Sequence, residues 1–311
     1  MAAVVEIEKL TKDYEVGFLR KRKVRALDGL SLTVEGGEIF GFLGANGAGK
    51  TTTLKLLMRL IYPTAGQARI LDSDISDVSM HARIGYLPEN PYFYDYLTAR
   101  EFLEYCAELF GYGRSERQKR TKELLARVYL DEKSWDKQLR KFSKGMLQRV
   151  GLAQALVNDP LIVFLDEPMS GLDPIGRRQV RDLIASLRTE GKTVFMCSHI
   201  LSDIEVLCDR VAIMRRGRLA HTGRLEELRE QAGEAPRIEI VVAGADAEAI
   251  ARHLPSPDNS QVSRTASGAR IEVADEREVD GVLAAIRRAG GRLVSVQPVK
   301  QSLEELFMRE N

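Results

Sequence analysis

Short apolar runs alternate along the chain with longer amphipathic stretches. Strand-length runs lie at Val4–Leu10, Leu30–Val34, Ile39–Leu43, Ile84–Leu87, Leu161–Leu165, Thr193–Cys197 and Val211–Met214. Several are separated by segments with apolar residues at helical spacing, an alternation that predicts an α/β core with parallel strands. From Thr98 to about Leu139 the strand signal stops. Glu101–Phe110 and Glu116–Leu130 each gather apolar residues on one helical face, and a further helix opens near Ser143. Together they predict a helical insertion over about 98–157.

Composition breaks at Gln231–Pro236, where Ala-Gly-Glu-Ala-Pro reads as a linker. Beyond it come a strand (Arg237–Val242), a helix (Ala245–Leu254), two strands around Ala266-Ser-Gly268, a helix (Glu276–Ala289) and a strand (Arg292–Gln297). That βαββαβ order is the split βαβ arrangement of a small ferredoxin-like α+β domain. A last helix is expected at Ser302–Arg309. The expected domains are therefore 1–230 and 236–311.

Bulk properties narrow the classes. With 311 residues there is room for one large and one small domain. A net charge of +1 gives no electrostatic case for a nucleic-acid partner. Apolar runs such as Leu161–Leu165 fall far short of the roughly 20 residues needed to cross a bilayer. The first residues do not resemble a signal peptide. Three cysteines without C-x-x-C spacing suggest buried, reduced thiols. The expectation is a cytoplasmic protein that reaches a membrane only through a partner.

The chemistry begins at Gly44-Ala-Asn-Gly-Ala-Gly-Lys-Thr51, a phosphate-binding loop between an apolar run and a helical stretch. Gly44, Asn46, Gly47, Ala48, Gly49 and Lys50 would wrap phosphate oxygens, largely with backbone N–H groups. Lys50 would reach the β- and γ-phosphates, Thr51 would take a place on Mg²⁺, and Thr52 continues the cradle. Leu161–Leu165 ends in Asp166 and Glu167. A strand terminus beside a phosphate loop suits Asp166 as a metal ligand and Glu167 as base or orienter of the attacking water.

Phe142-Ser-Lys-Gly-Met146 resembles the signature motif of ATP-binding cassette (ABC) ATPases, with Phe142, Lys144 and Met146 departing from Leu-Ser-Gly-Gly-Gln. Other segments follow in the family's order. Ser170-Gly-Leu-Asp173 resembles the D-loop, His199 the switch histidine, and Tyr14 the aromatic that stacks on adenine. The resemblance covers about residues 4–230 and assigns Ser143, Gly145 and Asp173 to the nucleotide, alongside Tyr14. Where family members carry a glutamine after a strand, this chain has Leu87-Pro-Glu89-Asn90. Glu89 thereby becomes a candidate catalytic and magnesium-linked residue, with Asn90 as the alternative ligand.

The resemblance implies that ATP and Mg²⁺ are clamped between two copies of the chain, Lys50 on one and Ser143 on the other. It also implies a separate integral membrane permease, docked on the inner face of the cell membrane and driven by ATP hydrolysis, in the manner of the exporter branch. The aromatic cluster Tyr92, Phe93, Tyr94 and Tyr96 would line the docking groove, or else pack the chain's own interior. Arg20–Lys23 and Arg25 form a basic run, read as a loop after Tyr14. A soluble ABC ATPase acting in translation or on chromosomes is the alternative function.

Overall fold

The structure, a computed structural model, describes residues 2–17, 21–231, 238–254, 260–265 and 267–298. The chain divides into two compact units, Met1–Leu225 and Glu226–Asn311.

The first unit opens with two long strands, β1 (Ala3–Val16) and β2 (Arg22–Glu35), which pair antiparallel. Next come β3 (Ile39–Gly44), α1 (Lys50–Leu57), β4 (Ala65–Ile70), β5 (Ser73–Asp74) and β6 (Ile84–Leu87). Strands β2, β1, β4 and β5 form an antiparallel sheet in that order. This antiparallel sheet stands beside the expected core of parallel strands. Its strand β4, Ala-Gly-Gln-Ala-Arg-Ile, buries only Ala68 and Ile70, so no apolar run announced it. The basic run is likewise not a loop: Arg22 and Lys23 pair with Val16 and Glu15 across the β1–β2 ladder, while Arg20 lies outside the described residues.

The helical insertion comprises α2 (Ala99–Leu109), α3 (Arg114–Arg127) and α4 (Lys144–Ala155). Thr98 and Glu101 cap α2 reciprocally, side chain to backbone in both directions. Arg149 on α4 donates to the Val128 and Tyr129 carbonyls at the end of α3, fixing one helix against the other.

The remaining core elements are β7 (Ile162–Asp166), α5 (Pro174–Thr189), β8 (Thr193–Ser198), α6 (Leu201–Leu207), β9 (Arg210–Arg215) and β10 (Arg218–Arg224), with α7 (Leu225–Gln231) at the unit boundary. They complete a sheet of order β10-β9-β3-β8-β7-β6. Every neighbouring pair is parallel except β10 with β9. Strands β3, β7 and β8 are buried along their whole length, as parallel strands covered on both faces must be. Helix α1 carries Leu54, Leu56 and Leu57 into a core shared by both sheets.

In the second unit, β11 (Ile238–Ala243), α8 (Ala247–Ala251), β12 (Ser260–Thr265), β13 (Gly268–Val273), α9 (Val279–Arg288) and β14 (Arg292–Pro298) follow one another. The sheet order is β12-β13-β11-β14, all antiparallel, which is the split βαβ topology. Its core, around Ile240, Val242, Ile271, Val273, Val282 and Ile286, is its own. The linker over 232–236 and the terminal helix expected at Ser302–Arg309 fall outside the described residues.

Candidate active site

Strand register sets the site. Leu43 lies beside Ser198, Asp166 beside Cys197, and Leu87 beside Leu165, so β3, β8, β7 and β6 end level along one edge. The carboxyl edge of parallel strands is where such folds hold ligands. The segments leaving those strands carry the phosphate loop, His199, Glu167 and Glu89.

A cleft of about 340 Å³ opens there, lined by Ala26, Ala45, Asn46, Gly47, Gly49, Lys50, Thr51, Thr52, Glu89, Asp166 and Glu167. Gly49 sits at φ +107, and a Cβ there would come within 2.9 Å of the Ala26 carbonyl. No other residue enters that turn without moving β2. The Lys50 ammonium is buried, donates to the Gly44 carbonyl at 2.5 Å and lies 3.9 Å from Glu167 Oε1.

Asp166 is fully enclosed, and neither carboxylate oxygen has a hydrogen-bond partner among the described residues. Burial pushes its pKa up to about 6, helped by the Glu89 and Glu167 charges and opposed by Thr51 and Lys50. The Thr51 hydroxyl is close enough to temper the shift without meeting hydrogen-bond geometry. The two orphaned oxygens of the Asp166 carboxylate, beside the Thr51 hydroxyl and the Glu89 and Glu167 carboxyl groups, fit the hard-oxygen donor set of a divalent cation.

Glu167 has the left-handed φ of +51, uncommon away from glycine. Its N–H donates to the Cys197 carbonyl at 3.0 Å, and its Oε1 shares a 2.9 Å hydrogen bond with His199 Nδ1. Gln148, buried on α4, donates from Nε2 to the Glu167 and Pro168 carbonyls at 3.2 and 3.1 Å. Gln148 lies outside the residues that the signature-motif resemblance assigns to the nucleotide. Its signal was a polar residue on the buried face of the signature helix.

Other expected site residues lie apart from this cleft's lining. Tyr14 is on β1 beneath the Lys12 ammonium, which lies 5.2 Å from its ring centroid. Ser143, exposed, caps α4 by accepting from Met146 N–H. Gly145 faces the Gly171 carbonyl, and Asp173 caps α5 by accepting from Gly176 N–H. Asn90 is exposed and does not line the cleft, whereas Glu89 does. Phe93 is buried against Phe102, while Tyr92, Tyr94 and Tyr96 stay on the surface, so the aromatic cluster is divided between core and exterior.

A family model described as ABC transporter matches residues 27–170, and one described as ATP-binding protein DrrA1-3-like, C-terminal domain, matches 223–310. An uncharacterised ABC transporter ATP-binding protein of Synechocystis is 46% identical over 99% of this chain and 85% of its own length. The chain is an ABC transporter ATP-binding subunit. The bacitracin transport ATP-binding protein BcrA of Enterococcus faecalis is 31% identical over 99% of this chain and 96% of that one. Among solved structures, a dimeric ATP-binding cassette in a post-hydrolysis state with ADP and Pi aligns with TM-score 0.66 and 28% identity. It covers 71% of this chain and 98% of that one. This subunit is accordingly an ATPase. Among the described residues no helix is long and apolar enough to cross a membrane.

Proposed function

We propose that the subunit works as a homodimer that sandwiches two ATP molecules and drives a separate membrane permease, in the direction of export, from the inner face of the cell membrane. One observation carries the reading. Lys50, Thr51, Glu89, Asp166 and Glu167 share a cleft, while Ser143 and Asp173, assigned to the same nucleotide, belong to other surfaces of the chain. A second copy supplies them if each Ser143 faces its partner's Lys50. The solved dimer of a related cassette supports this, as does the transport of bacitracin named for the BcrA relatives.

Within each site, the Lys50 ammonium and the loop amides would hold the phosphates as they lose their water. Thr51, Asp166 and Glu89 would hold Mg²⁺, which would supply charge neutralisation to the phosphates. Glu167 would take up or orient the lytic water's proton, with its carboxylate fixed from one side by His199. The exposed Tyr92, Tyr94 and Tyr96 offer aromatic contact area to the permease. Hydrolysis would then loosen the sandwich and pass the movement to the permease.

The test is a Glu167→Gln chain with ATP and magnesium, its mass followed by light scattering. A dimer that dissociates on nucleotide removal is expected. A monomer at high concentration defeats the proposal. Co-purification of a membrane subunit checks the permease, and loss of that subunit in a Tyr92→Ala, Tyr96→Ala chain locates the dock.

A further inference from the structure

Gln148 occupies an unusual junction. It is 2% exposed and spends its side-chain amide on two backbone carbonyls, those of Glu167 and Pro168. Five residues earlier on the same helix stands Ser143, the cap of α4. Those five residues span about 7.5 Å of helix axis, less than a turn and a half, over which a helix moves as a rod.

We propose that Gln148 is a positioning residue that ties the catalytic state of one ATP site to the occupancy of the other. The inference rests on the two-copy reading above. Ser143 meets the partner's nucleotide, α4 turns with it, and Gln148 transmits that movement to the backbone of Glu167 in its own site. The geometry of Glu167 makes it responsive. A non-glycine residue at φ +51 holds that conformation only while its surroundings enforce it.

Ser170 N–H, which donates to the Glu167 carbonyl, and three contacts from more distant segments do so. Cys197 accepts from the Glu167 N–H, His199 holds the carboxylate, and Gln148 grips the carbonyl. The first two partners belong to β8 and the segment leaving it, on the same side of the sandwich as the phosphate loop. Only the third belongs to the helix whose cap is assigned to the partner's ATP. Losing it leaves the Glu167 carbonyl with Ser170 N–H alone and takes from Pro168 the donor its carbonyl has, so the bond is costly to break and well suited to carry force.

Gln148→Met keeps the side-chain volume and removes both donors. Gln148→Glu sets a carboxylate against the same two carbonyls. The expected result is a kcat lower by about 10- to 100-fold, the scale of a misplaced catalytic group. KM for ATP should stay within about threefold, and MgATP-induced dimerisation in a Glu167→Gln background should persist. Cooperativity of hydrolysis in ATP concentration should fall.

A kcat within about threefold of the unmodified chain overturns the inference. So does a kcat that falls in step with ATP affinity and melting temperature, the mark of a merely structural glutamine. A measurement without any Gln148 variant uses amide exchange on the Glu167→Gln chain. Adding MgATP should protect peptides covering 143–149 and 167–170 together, and protection confined to the first overturns the proposal. If that chain stays monomeric with MgATP, the two-copy reading falls and this inference with it. A dimer indifferent to Gln148 removes the inference alone.

Discussion

Asp166 keeps two carboxylate oxygens enclosed on β7 with no hydrogen-bond donor among the described residues. Its pKa, raised by burial to about 6, means that the fold disfavours the charged form. For a raised carboxylate the penalty is complete above the folded value and fades as pH falls towards the ordinary value near 3.8. Asp166→Asn should therefore stabilise the nucleotide-free protein by about 1–3 kcal/mol at pH 7 in EDTA, less at pH 5, and abolish ATP hydrolysis. Melting curves at the two pH values check it. Glu89 adds a third carboxyl group to a cleft with one lysine. Glu89→Gln should tighten ATP binding in EDTA by about tenfold, the factor that roughly 1.4 kcal/mol makes, and narrow the gap between EDTA and magnesium. Titration calorimetry reads both. An affinity gap equal to that of the unmodified chain would count against a cation-linked Glu89.

At the level of elements, the packing of α4 on β6 shows how closely the insertion is fitted to the sheet. A Cβ on Gly85 would lie 2.0 Å from the Ala155 carbonyl at the end of α4. Gly85→Ala should cost about 3 kcal/mol or more by forcing helix and strand apart, seen as a lower denaturation midpoint with depressed ATPase activity. Elements with continuous apolar runs, such as β7 and β8, were legible because both faces are buried and composition alone reveals them. Strands β4 and β10 were not. Residues along β10 alternate between exposed and half-buried, with none fully buried, so its pairing to β9 depends on a neighbour rather than on its own pattern. The basic residues near β2 misled for a related reason. Arg25 is paired with Asp13 across the hairpin, a contact that only the strand register creates, and with Asp28 on its own strand.

For the whole molecule, each unit has its own core, and every residue lining the phosphate-loop cleft lies between Ala26 and Glu167. A chain ending at residue 235 should fold and bind ATP within about twofold of the full chain, checked by calorimetry. Loss of MgATP-induced dimerisation in that chain would make the ferredoxin-like unit a dimer brace, while retained dimers with altered hydrolysis would make it a sensor. The order of motifs, from the phosphate loop through Ser143 and Glu167 to His199, needed no tertiary information. Each depends on local chemistry: glycines that permit a turn, a hydroxyl that caps a helix, carboxylates that end an apolar strand. What the tertiary structure alone decided is which of these groups share a cleft. It also fixed the left-handed Glu167, the orphaned Asp166 and the grip of Gln148 on a backbone nineteen residues away. Such facts depend on strand order and on burial, which arise only when distant segments exclude water together.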